Sequence, residues 1–474
     1  MSEVTVEGKP AHTVIAENNW VGLNTVFYNE ITSRYSHNIN DVIDFDKFDW
    51  DYEGLYNYLD WGYCILGRTP IKGVRFLQAN EILARSQDGK LQVQRKNWDQ
   101  EVFFNLPQYQ PDDIIEMIRQ DILQWEKSTA GPIVIPLSGG YDSRLLASLV
   151  SEKPRVHCFT YGETYNQARA REVLFAKQVA QNLNLKWQHI ELHSYHRYLQ
   201  DWYNDYGVAS FAGGLYHYEF YNKIKLSGIQ EGNVLSGIVG DLWAKKMVNS
   251  ISSPQEVGNL KLSHGYYIDK TYFTFKHSKE NQYVVEYFEK NRQLWRLMPF
   301  RVTELVRHKM IFLNYLFRTP QRFGFSPYSP FMNSQIALAM LTVDEKKRKN
   351  RLWQKEYFQK RNLDVENKVR GYQKLNYLAC HVSKNYPLPP LKPELFKGII
   401  NLDYINRINS KIHIGKIPYY QFFFLQNFNN LLLRLKLRPR HKALSYPFYL
   451  QYFVLIPLQL LMIQRNEHLC GKRA

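Results

Sequence analysis

The stretch Ile133-Val134-Ile135-Pro136-Leu137-Ser138-Gly139-Gly140-Tyr141-Asp142-Ser143 decides the fold of this chain. Four apolar residues and a proline lead into two glycines, and the residues that follow up to 150 are again mostly apolar. This order predicts a buried strand, a tight turn and the start of a helix. Glycines allow backbone conformations that a Cβ forbids, and amides at a helix N-terminus attract anions. The stretch therefore predicts an anion-binding turn, to which the hydroxyl groups of Ser138 and Ser143 contribute.

Strand and helix patterns alternate after this turn. Apolar runs predict strands over 156–161, 187–192 and 234–235, and an amphipathic helix is predicted over 168–183. This order predicts an α/β fold with a parallel, doubly wound sheet, in which ligands bind at the carboxyl ends of the strands. Ser236-Gly237 follows the last of these strands directly. We therefore expect the two Ser-Gly turns to share one crevice.

The regions on either side carry different patterns. Before the turn, short β-type runs such as 13–16 and 62–66 are followed by Asp88-Gly89, which predicts a hairpin over 81–93. The apolar spacing over 112–126 predicts a helix. The sequence beyond about 255 is aromatic and basic and is predicted to be mainly helical, with the clearest helices at 331–341 and 351–361. These patterns predict three units, which cover 1–110, 111–385 and 386–474.

The composition is that of a globular protein with a large core. The chain has 474 residues, of which 45% are hydrophobic, and its net charge is +17. Residues 1–60 hold eleven Asp or Glu and three Lys or Arg, a balance of −8, so the rest of the chain carries +25. A basic body suits an anionic ligand, nucleic acid or an anionic membrane surface, or serves solubility alone.

The cysteines and the N-terminus suggest a reducing compartment. Cys64, Cys158, Cys380 and Cys470 form no CxxC pair, so we expect buried or incidental thiols. The first ten residues are polar and acidic, unlike a signal peptide. A cytoplasmic location is therefore expected.

The C-terminal part could contact a membrane. A basic cluster at 434–442 precedes the nearly unbroken apolar segment 446–463, which approaches the length of a short span. Pro447, Pro457 and two glutamines interrupt it. The segment is either an interfacial helix on anionic lipid or a helix packed on the helical unit. Peripheral membrane contact through 434–463 is thus one expectation.

The glycine turn resembles a known phosphate-binding motif. Neither a Walker A motif nor GxGxxG occurs, but residues 138–143 fit the SGGxDS pattern of the PP-loop ATP pyrophosphatases. Three further segments, 159–162, 171–180 and 234–241, narrow the resemblance to the asparagine synthetases and their relatives. Weaker similarity covers 69–93, at the end of the family's N-terminal domain, and 329–333, at its V-P-F-L-D segment.

The sequence departs from the family pattern at several positions. Arg171 replaces the usual Asp, and Asn333 replaces the Asp of V-P-F-L-D. In the L-S-G-x-G-G/S-D-E segment, Val239 replaces the second Gly and Leu242 replaces the final Glu. These departures leave room for a non-catalytic nucleotide-binding relative.

The resemblance implies an ATP-dependent, AMP-forming amide ligase. In the family a carboxylate attacks the α-phosphate of ATP, pyrophosphate leaves, and ammonia or an amine attacks the acyl-adenylate. The residues that would bind ATP and pyrophosphate are Leu137, Ser138, Gly139, Gly140, Asp142, Ser143, Tyr161, Ser236 and Gly237. Asp142 and Asp241 would hold Mg²⁺, because carboxylate oxygens suit this ion when phosphate shares it. A cationic catalytic residue is also expected, and Lys374 is preferred to Lys368 and Arg370.

The nitrogen source of glutamine-hydrolysing relatives is missing. They expose an N-terminal cysteine, whereas residue 2 is Ser2 and no cysteine precedes Cys64. The resemblance therefore implies a truncated, β-rich Ntn-like domain without glutaminase activity. Nitrogen would come from ammonia, an amine or a separate glutaminase partner, and the acid would be a small molecule, a peptide or a saccharide, as in surface-polysaccharide or peptide natural-product biosynthesis. A PP-loop enzyme that modifies tRNA is the alternative, although the absence of a CxxC pair makes nucleic acid the less favoured partner.

Overall fold

The computed structural model describes residues 13–96, 100–245, 248–261, 264–277, 281–416, 420, 421, 424, 428 and 446–472. Its strands are β1 Thr13–Glu17, β2 Phe27–Asn29, β3 Tyr35–Ser36, β4 Val74–Phe76, β5 Glu81–Arg85, β6 Leu91–Arg95, β7 Ile133–Pro136, β8 Val156–Tyr161, β9 Lys186–Ile190, β10 Gly232–Leu235 and β11 Phe325–Tyr328.

The helices follow the same chain order. They are α1 Tyr52–Trp61, α2 Pro111–Ser128, α3 Tyr141–Leu149, α4 Arg171–Leu183, α5 Leu199–Tyr206, α6 Tyr216–Leu226, α7 Gly240–Lys245, α8 Gln282–Lys290, α9 Met298–Leu313, α10 Tyr315–Arg322, α11 Ser334–Thr342, α12 Glu345–Arg348, α13 Leu352–Lys360, α14 Leu378–Asn385, α15 Leu402–Lys411 and α16 Tyr446–Gly471.

A five-stranded parallel sheet forms the centre of the fold, in the order β11-β10-β7-β8-β9. The predicted parallel α/β sheet is therefore confirmed, and β7 is buried because its apolar run is covered on both faces. The helix predicted from 168 begins at Arg171 instead, because residues 167–169 form a separate 3₁₀ turn. The edge strand β11 was not predicted, since Pro327 interrupts its short pattern.

The N-terminal region contains two small antiparallel sheets, β1-β5-β6 and β3-β2-β4. The predicted hairpin is confirmed: β5 pairs with β6, and Gly89 in the turn has φ +83°. The strand predicted over 62–66 is wrong. Gly62 ends α1 in the left-handed conformation and donates its N–H to the Tyr58 carbonyl, so the chain turns there.

The last helix, α16, packs against the protein. Tyr58 donates its hydroxyl to the Val454 carbonyl at 2.8 Å, and the Ala212 amide donates to the Phe453 carbonyl at 2.9 Å. Among the described residues this helix alone is long and apolar enough to cross a membrane, and 61% of its most apolar stretch is buried inside the protein. The contacts agree with the packed-helix interpretation. The predicted basic cluster at 434–442 lies outside the described residues.

One hydrophobic core runs through the N-terminal, central and C-terminal parts of the chain. The division into 1–110, 111–385 and 386–474 stays a prediction. Cys64, Cys158 and Cys380 are buried free thiols, as expected, and Cys470 is exposed. Burial raises the pKa of Cys158 and of Cys380 to about 12, so neither thiol is activated as a nucleophile.

Candidate functional site

The SGGxDS turn joins β7 to α3 in the predicted way. Gly139 has φ +67°, and a Cβ there would lie 2.4 Å from the Phe175 Cβ, so glycine is required for both conformation and space. The Ser143 hydroxyl accepts from the Ser138 amide at 3.2 Å and holds the turn in shape. Ser138 and Gly140 are exposed. The Gly140 amide donates to the Ser138 hydroxyl at 3.2 Å, and this hydroxyl lies at the exposed start of α3, where an anion can approach it.

The carboxylate of Asp142 is held by an arginine that the sequence did not reveal. Nη2 of Arg351 lies 2.8 Å from each carboxylate oxygen, and the guanidinium stands 5.4 Å from the centre of the Tyr141 ring. Burial raises the pKa of the Asp142 carboxyl; Arg351 opposes this rise, and the nearby charge of Asp241 adds to it. The two acidic residues expected to bind metal are thus within electrostatic reach of each other.

The second Ser-Gly turn forms the opposite wall of the same crevice. A Cβ on Gly237 would lie 3.1 Å from the Asp142 Cβ, and one on Gly240 would lie 2.8 Å from the Asp142 Cγ. The Ser236 amide donates to the Tyr328 carbonyl at 2.8 Å, which ties this turn to the end of β11. The expected meeting of the two turns is therefore found, and both glycines are needed for their close approach.

Val239 adopts a backbone conformation that its side chain disfavours. It has φ +54°, in the left-handed region, and it stands where the resembling family has glycine. A β-branched residue there costs about 1–3 kcal/mol. The second wall is therefore built in the shape that a glycine would take, although the glycine itself is gone.

This central part of the chain also matches a known family. Residues 127–241 match the family model of asparagine synthase. The match runs from the end of α2 through both Ser-Gly turns to Asp241, and it confirms the resemblance to asparagine synthetases over this segment. Beyond it, the similarities at 69–93 and 329–333 stay predictions.

Two solved structures are similar to this chain, but both similarities are too weak to indicate function. An NH3-dependent NAD synthetase from Campylobacter jejuni has 18% sequence identity and a TM-score of 0.24, and the match covers 42% of this chain and 93% of that one. A glutamine-dependent NAD+ synthetase from Acinetobacter baumannii has 16% identity and a TM-score of 0.22, with 52% and 42% covered. No curated protein matches the chain.

Within the matched segment 127–241, Arg144 supports the glycine turn at residues 138–143. Its side chain is 1% exposed; Nη2 donates to the Gly139 carbonyl at 2.5 Å, and both terminal nitrogens pair with Glu366 at 2.9–3.0 Å. Because it bonds the turn through a backbone carbonyl, Arg144 is a positioning residue. It follows the SGGxDS motif directly, so the motif could have drawn attention to it.

The three candidate cations after the asparagine synthase segment lie in different surroundings. Lys368 pairs with Asp364 at 3.1 Å, and Arg370 donates to the Glu366 carbonyl at 3.0 Å. Lys374 is exposed, and its ammonium stands 5.2 Å from the centre of the Tyr372 ring. Lys374 is therefore the candidate that is least engaged in local polar bonds, and its catalytic role stays a prediction.

The segment 371–377, which carries Lys374, lies beside α4 and the residues that follow β8. Tyr372 contacts the ring of Phe175, the residue that packs on Gly139. The Arg171 backbone amide donates to the Gln373 carbonyl at 3.1 Å, and the Asn376 side-chain amide donates to the Glu163 carboxylate at 2.8 Å. This segment thus extends from the glycine turn at 138–143 to the residues that follow β8.

The end of β8 lies beside the glycine turn at 138–143. The Leu137 amide donates to the Phe159 carbonyl at 2.9 Å, and the Thr160 hydroxyl donates to the Leu137 carbonyl. Tyr161 ends this strand, with its ring 5.5 Å from that of Tyr216. The predicted nucleotide contacts Leu137 and Tyr161 therefore belong to neighbouring strands at one edge of the sheet.

The arrangement around Asp142 fits a divalent cation shared with phosphate. Glycine backbone at 237 and 240 closes on the Asp142 carboxylate, and Asp241 lies close enough to raise its pKa. In the described part of the chain no three His, Cys, Asp or Glu side chains gather in a metal-binding group. Two carboxylates alone suit Mg²⁺ only when phosphate and water complete its shell. The residues thus fit a metal that arrives with a nucleotide.

Proposed function

We propose that this protein is an ATP-dependent ligase that activates a carboxylate as an acyl-adenylate and passes the acyl group to ammonia or an amine. The observation that carries this proposal is the contact of Gly237 and Gly240 with Asp142, which closes the Ser236-Gly237 turn onto the phosphate-binding turn. The match of residues 127–241 to asparagine synthase supports the same reaction class.

The glycine turn would bind the pyrophosphate part of ATP. The exposed Ser138 hydroxyl offers a donor at the N-terminus of α3, where fixed dipoles favour the charge that builds up as pyrophosphate leaves, and the Gly140 amide supports this hydroxyl by donating to it at 3.2 Å. Ser143 keeps the turn in shape, and the backbone near Leu137 and Tyr161 would border the adenine. Ser236 and Gly237 would close on the nucleotide from the second wall.

Asp142 and Asp241 would hold Mg²⁺ together with the nucleotide. The ion, when bound, would polarise the α-phosphate and neutralise the leaving pyrophosphate. Arg351 forms an ion pair with Asp142 at 2.8 Å, and this pair would neutralise the carboxylate in the absence of the ion. Lys374, on the 371–377 segment, is the proposed catalytic cation for the same leaving group.

We propose that the nitrogen does not come from a thiol-dependent glutaminase step in the described core, because Cys64, Cys158 and Cys380 are buried and burial raises the pKa of each thiol. The proposed donors are ammonia, a substrate amine or a separate glutaminase partner. The proposed acids are small molecules, peptides and saccharides. We propose that the enzyme acts in surface-polysaccharide or peptide natural-product biosynthesis. Its proposed location is the cytoplasm, with or without peripheral membrane contact.

An ATP–pyrophosphate exchange screen over amino acids, uronic acids and short peptides tests the proposal. We expect Mg²⁺-dependent exchange with one class of acid, and its loss in Asp142→Ala. Asp112→Ala removes an exposed carboxylate from α2 and serves as the matched control. Formation of ADP without exchange would contradict the adenylation step. An ATP-stimulated release of glutamate from glutamine would contradict the absence of glutaminase activity.

A further inference from the structure

A cavity of about 120 Å³ lies just beyond the end of β8. Its walls come from the residues after β8, from residues 212–216, from residues 376–379 and from the first turns of α16. Five tyrosines line it, namely Tyr195, Tyr216, Tyr266, Tyr446 and Tyr449. One water occupies about 30 Å³ in the liquid, so the cavity has room for a molecule of several heavy atoms.

The cavity contains a single acidic side chain, Glu163. Its lining includes no lysine, arginine or histidine among the described residues. Oε2 of Glu163 accepts from the Asn376 amide at 2.8 Å. Burial raises the pKa of the Glu163 carboxyl to about 7, the charge of Glu172 adds to the rise, and Arg171 opposes it. The cavity therefore carries one negative charge above neutral pH and becomes neutral below it.

A chain of hydrogen bonds fixes the polarity of the hydroxyl groups. Burial lowers the pKa of His196 to about 4, so its ring is neutral, and Nδ1 donates to the Tyr386 carbonyl at 2.8 Å. Nε2 must then accept from the Tyr449 hydroxyl at 2.7 Å, which leaves Tyr449 to accept from Tyr195 at 3.1 Å. The Tyr195 oxygen thus keeps its lone pairs for a further donor.

These features select a positively charged donor. A carboxylate and an oriented tyrosine oxygen both accept hydrogen bonds, and the faces of tyrosine rings attract cations. The aromatic walls also offer apolar contact, which a bare ammonium ion would not use. A primary ammonium group on a short carbon chain or ring matches the charge, the polarity and the volume together.

We propose that this cavity binds the nitrogen nucleophile of the ligase reaction as a primary alkylammonium ion, and that Glu163 accepts its proton. The proposal rests on the function proposed above. The cavity lies at the correct edge of the sheet for it, because β8 neighbours β7 and the segment 371–377 joins Glu163 to the phosphate-binding turn through Phe175.

The protons and electrons of this step balance. The ammonium group gives one proton to the Glu163 carboxylate, and the freed nitrogen lone pair forms the C–N bond at the acyl carbon of the adenylate. The bond between that carbon and the phosphate oxygen breaks, and AMP leaves with the electron pair. The second proton leaves the nitrogen as the amide forms, so amide, AMP and two protons result from one ammonium ion and one acyl-adenylate.

The pH dependence of this step involves groups on several elements. The titratable groups that surround Glu163 are Arg171 and Glu172 on α4, Tyr161 on β8, Tyr195 before α5, Tyr216 on α6, Tyr266 in a loop, Tyr315 on α10, and Tyr446 and Tyr449 on α16. Burial raises the pKa of each of these tyrosines. Between pH 6 and 8.5 the carboxyl of Glu163 is therefore the group in the cavity that changes charge.

Ligand-observed NMR titration of the full chain with n-propylamine and benzylamine, without ATP, tests the proposal. Both probes stay cationic between pH 6 and 8.5, and ammonium chloride serves as the small comparison ion. We expect saturable binding that strengthens as the pH rises through about 7. Glu163→Gln should weaken binding at least about tenfold, and Tyr195→Phe, which keeps the ring, should weaken it about three- to tenfold. Glu116→Gln, an exposed carboxylate on α2, should bind like the native protein.

Several outcomes would overturn the proposal. They are absence of saturable binding of both amines, equal affinity in a folded Glu163→Gln variant, equal affinity for ammonium chloride, and displacement of the amine by ATP. Because amine binding is measured without ATP, and pyrophosphate exchange is measured with the acid as the only co-substrate and without propylamine or benzylamine, the two proposals fail separately. Exchange without amine binding would contradict this inference alone, and amine binding without exchange would contradict the ligase function.

Discussion

Nη2 of Arg351 lies 2.8 Å from both carboxylate oxygens of Asp142. This arginine places a positive charge on the residue that is expected to bind Mg²⁺, and it offsets the repulsion between Asp142 and Asp241. A bound metal would supply the same neutralisation. If the proposed site binds Mg²⁺ with a nucleotide, we expect the ion pair and the metal to replace each other in stabilising the crevice.

Replacement of Arg351 by glutamine should make the protein depend on Mg²⁺ for stability. Loss of one partner of a buried ion pair costs about 3–5 kcal/mol, because the other charge stays desolvated. Addition of MgCl2 together with ATP should raise the melting temperature of Arg351→Gln more than that of the native protein. Arg119→Gln, which removes an exposed arginine paired with Glu116, is the control. An Arg351→Gln variant whose melting temperature does not respond to MgCl2 with ATP would refute the shared site.

Substitution of Gly139 should be much more harmful than substitution of Gly131. Both glycines have positive φ, +67° and +77°, so alanine costs about 1–2 kcal/mol at either position. At Gly139 the new Cβ would also lie 2.7 Å from the Ala176 amide nitrogen, whereas open space surrounds Gly131. Chemical unfolding and ATP titration of the two variants measure the difference. Equal losses would show that the turn does not pack tightly on α4.

At position 239, glycine should give a more stable protein than alanine, which is the reverse of the usual order. In an ordinary buried site, glycine is less stable than alanine by about 1 kcal/mol, because the unfolded chain gains freedom. At Val239, with φ +54°, glycine avoids a left-handed penalty of about 1–2 kcal/mol that alanine still carries. Val239→Gly should therefore unfold at a higher denaturant concentration than Val239→Ala. The ordinary order would mean that this backbone is not strained.

The Glu163 carboxyl should make stability fall with rising pH. Its pKa is raised from 4.5 to about 7, so the folded state holds a proton that the unfolded state releases. The native protein should lose about 2–3 kcal/mol relative to Glu163→Gln between pH 4.5 and 7. Urea unfolding of both proteins across this range checks the sign. A constant difference would show that Glu163 titrates normally.

The central turn could be predicted from the sequence because its parts are adjacent along the chain. An apolar strand, two glycines and an apolar helix specify the geometry of residues 133–143 locally. The second wall was also predictable, since parallel strands bring their carboxyl ends to one edge. The strand predicted at 62–66 was wrong for a similar local reason: Gly62, the first residue of the run, ends a helix.

The side chains that complete the site come from distant parts of the chain. Arg351 contacts Asp142, which lies 209 residues earlier in the chain. Asn350 and Arg351 both adopt the left-handed backbone conformation, and no periodic pattern in the sequence predicts this. The sequence does not show that Glu163 is enclosed, because its enclosure requires residues 212–216, residues 376–379 and α16 to pack around it. Charge and periodicity identify strands and turns, whereas such enclosure depends on tertiary packing.

Transfer of ¹⁸O from the acid to AMP tests the central claim most directly. The carboxylate identified by pyrophosphate exchange is labelled with ¹⁸O and incubated with ATP, Mg²⁺ and an amine, and the products are analysed by mass spectrometry. The proposed adenylation predicts one ¹⁸O atom in the phosphate of AMP for each amide formed, and unlabelled pyrophosphate. Label in inorganic phosphate together with ADP, or amide formation with unlabelled AMP, would contradict it.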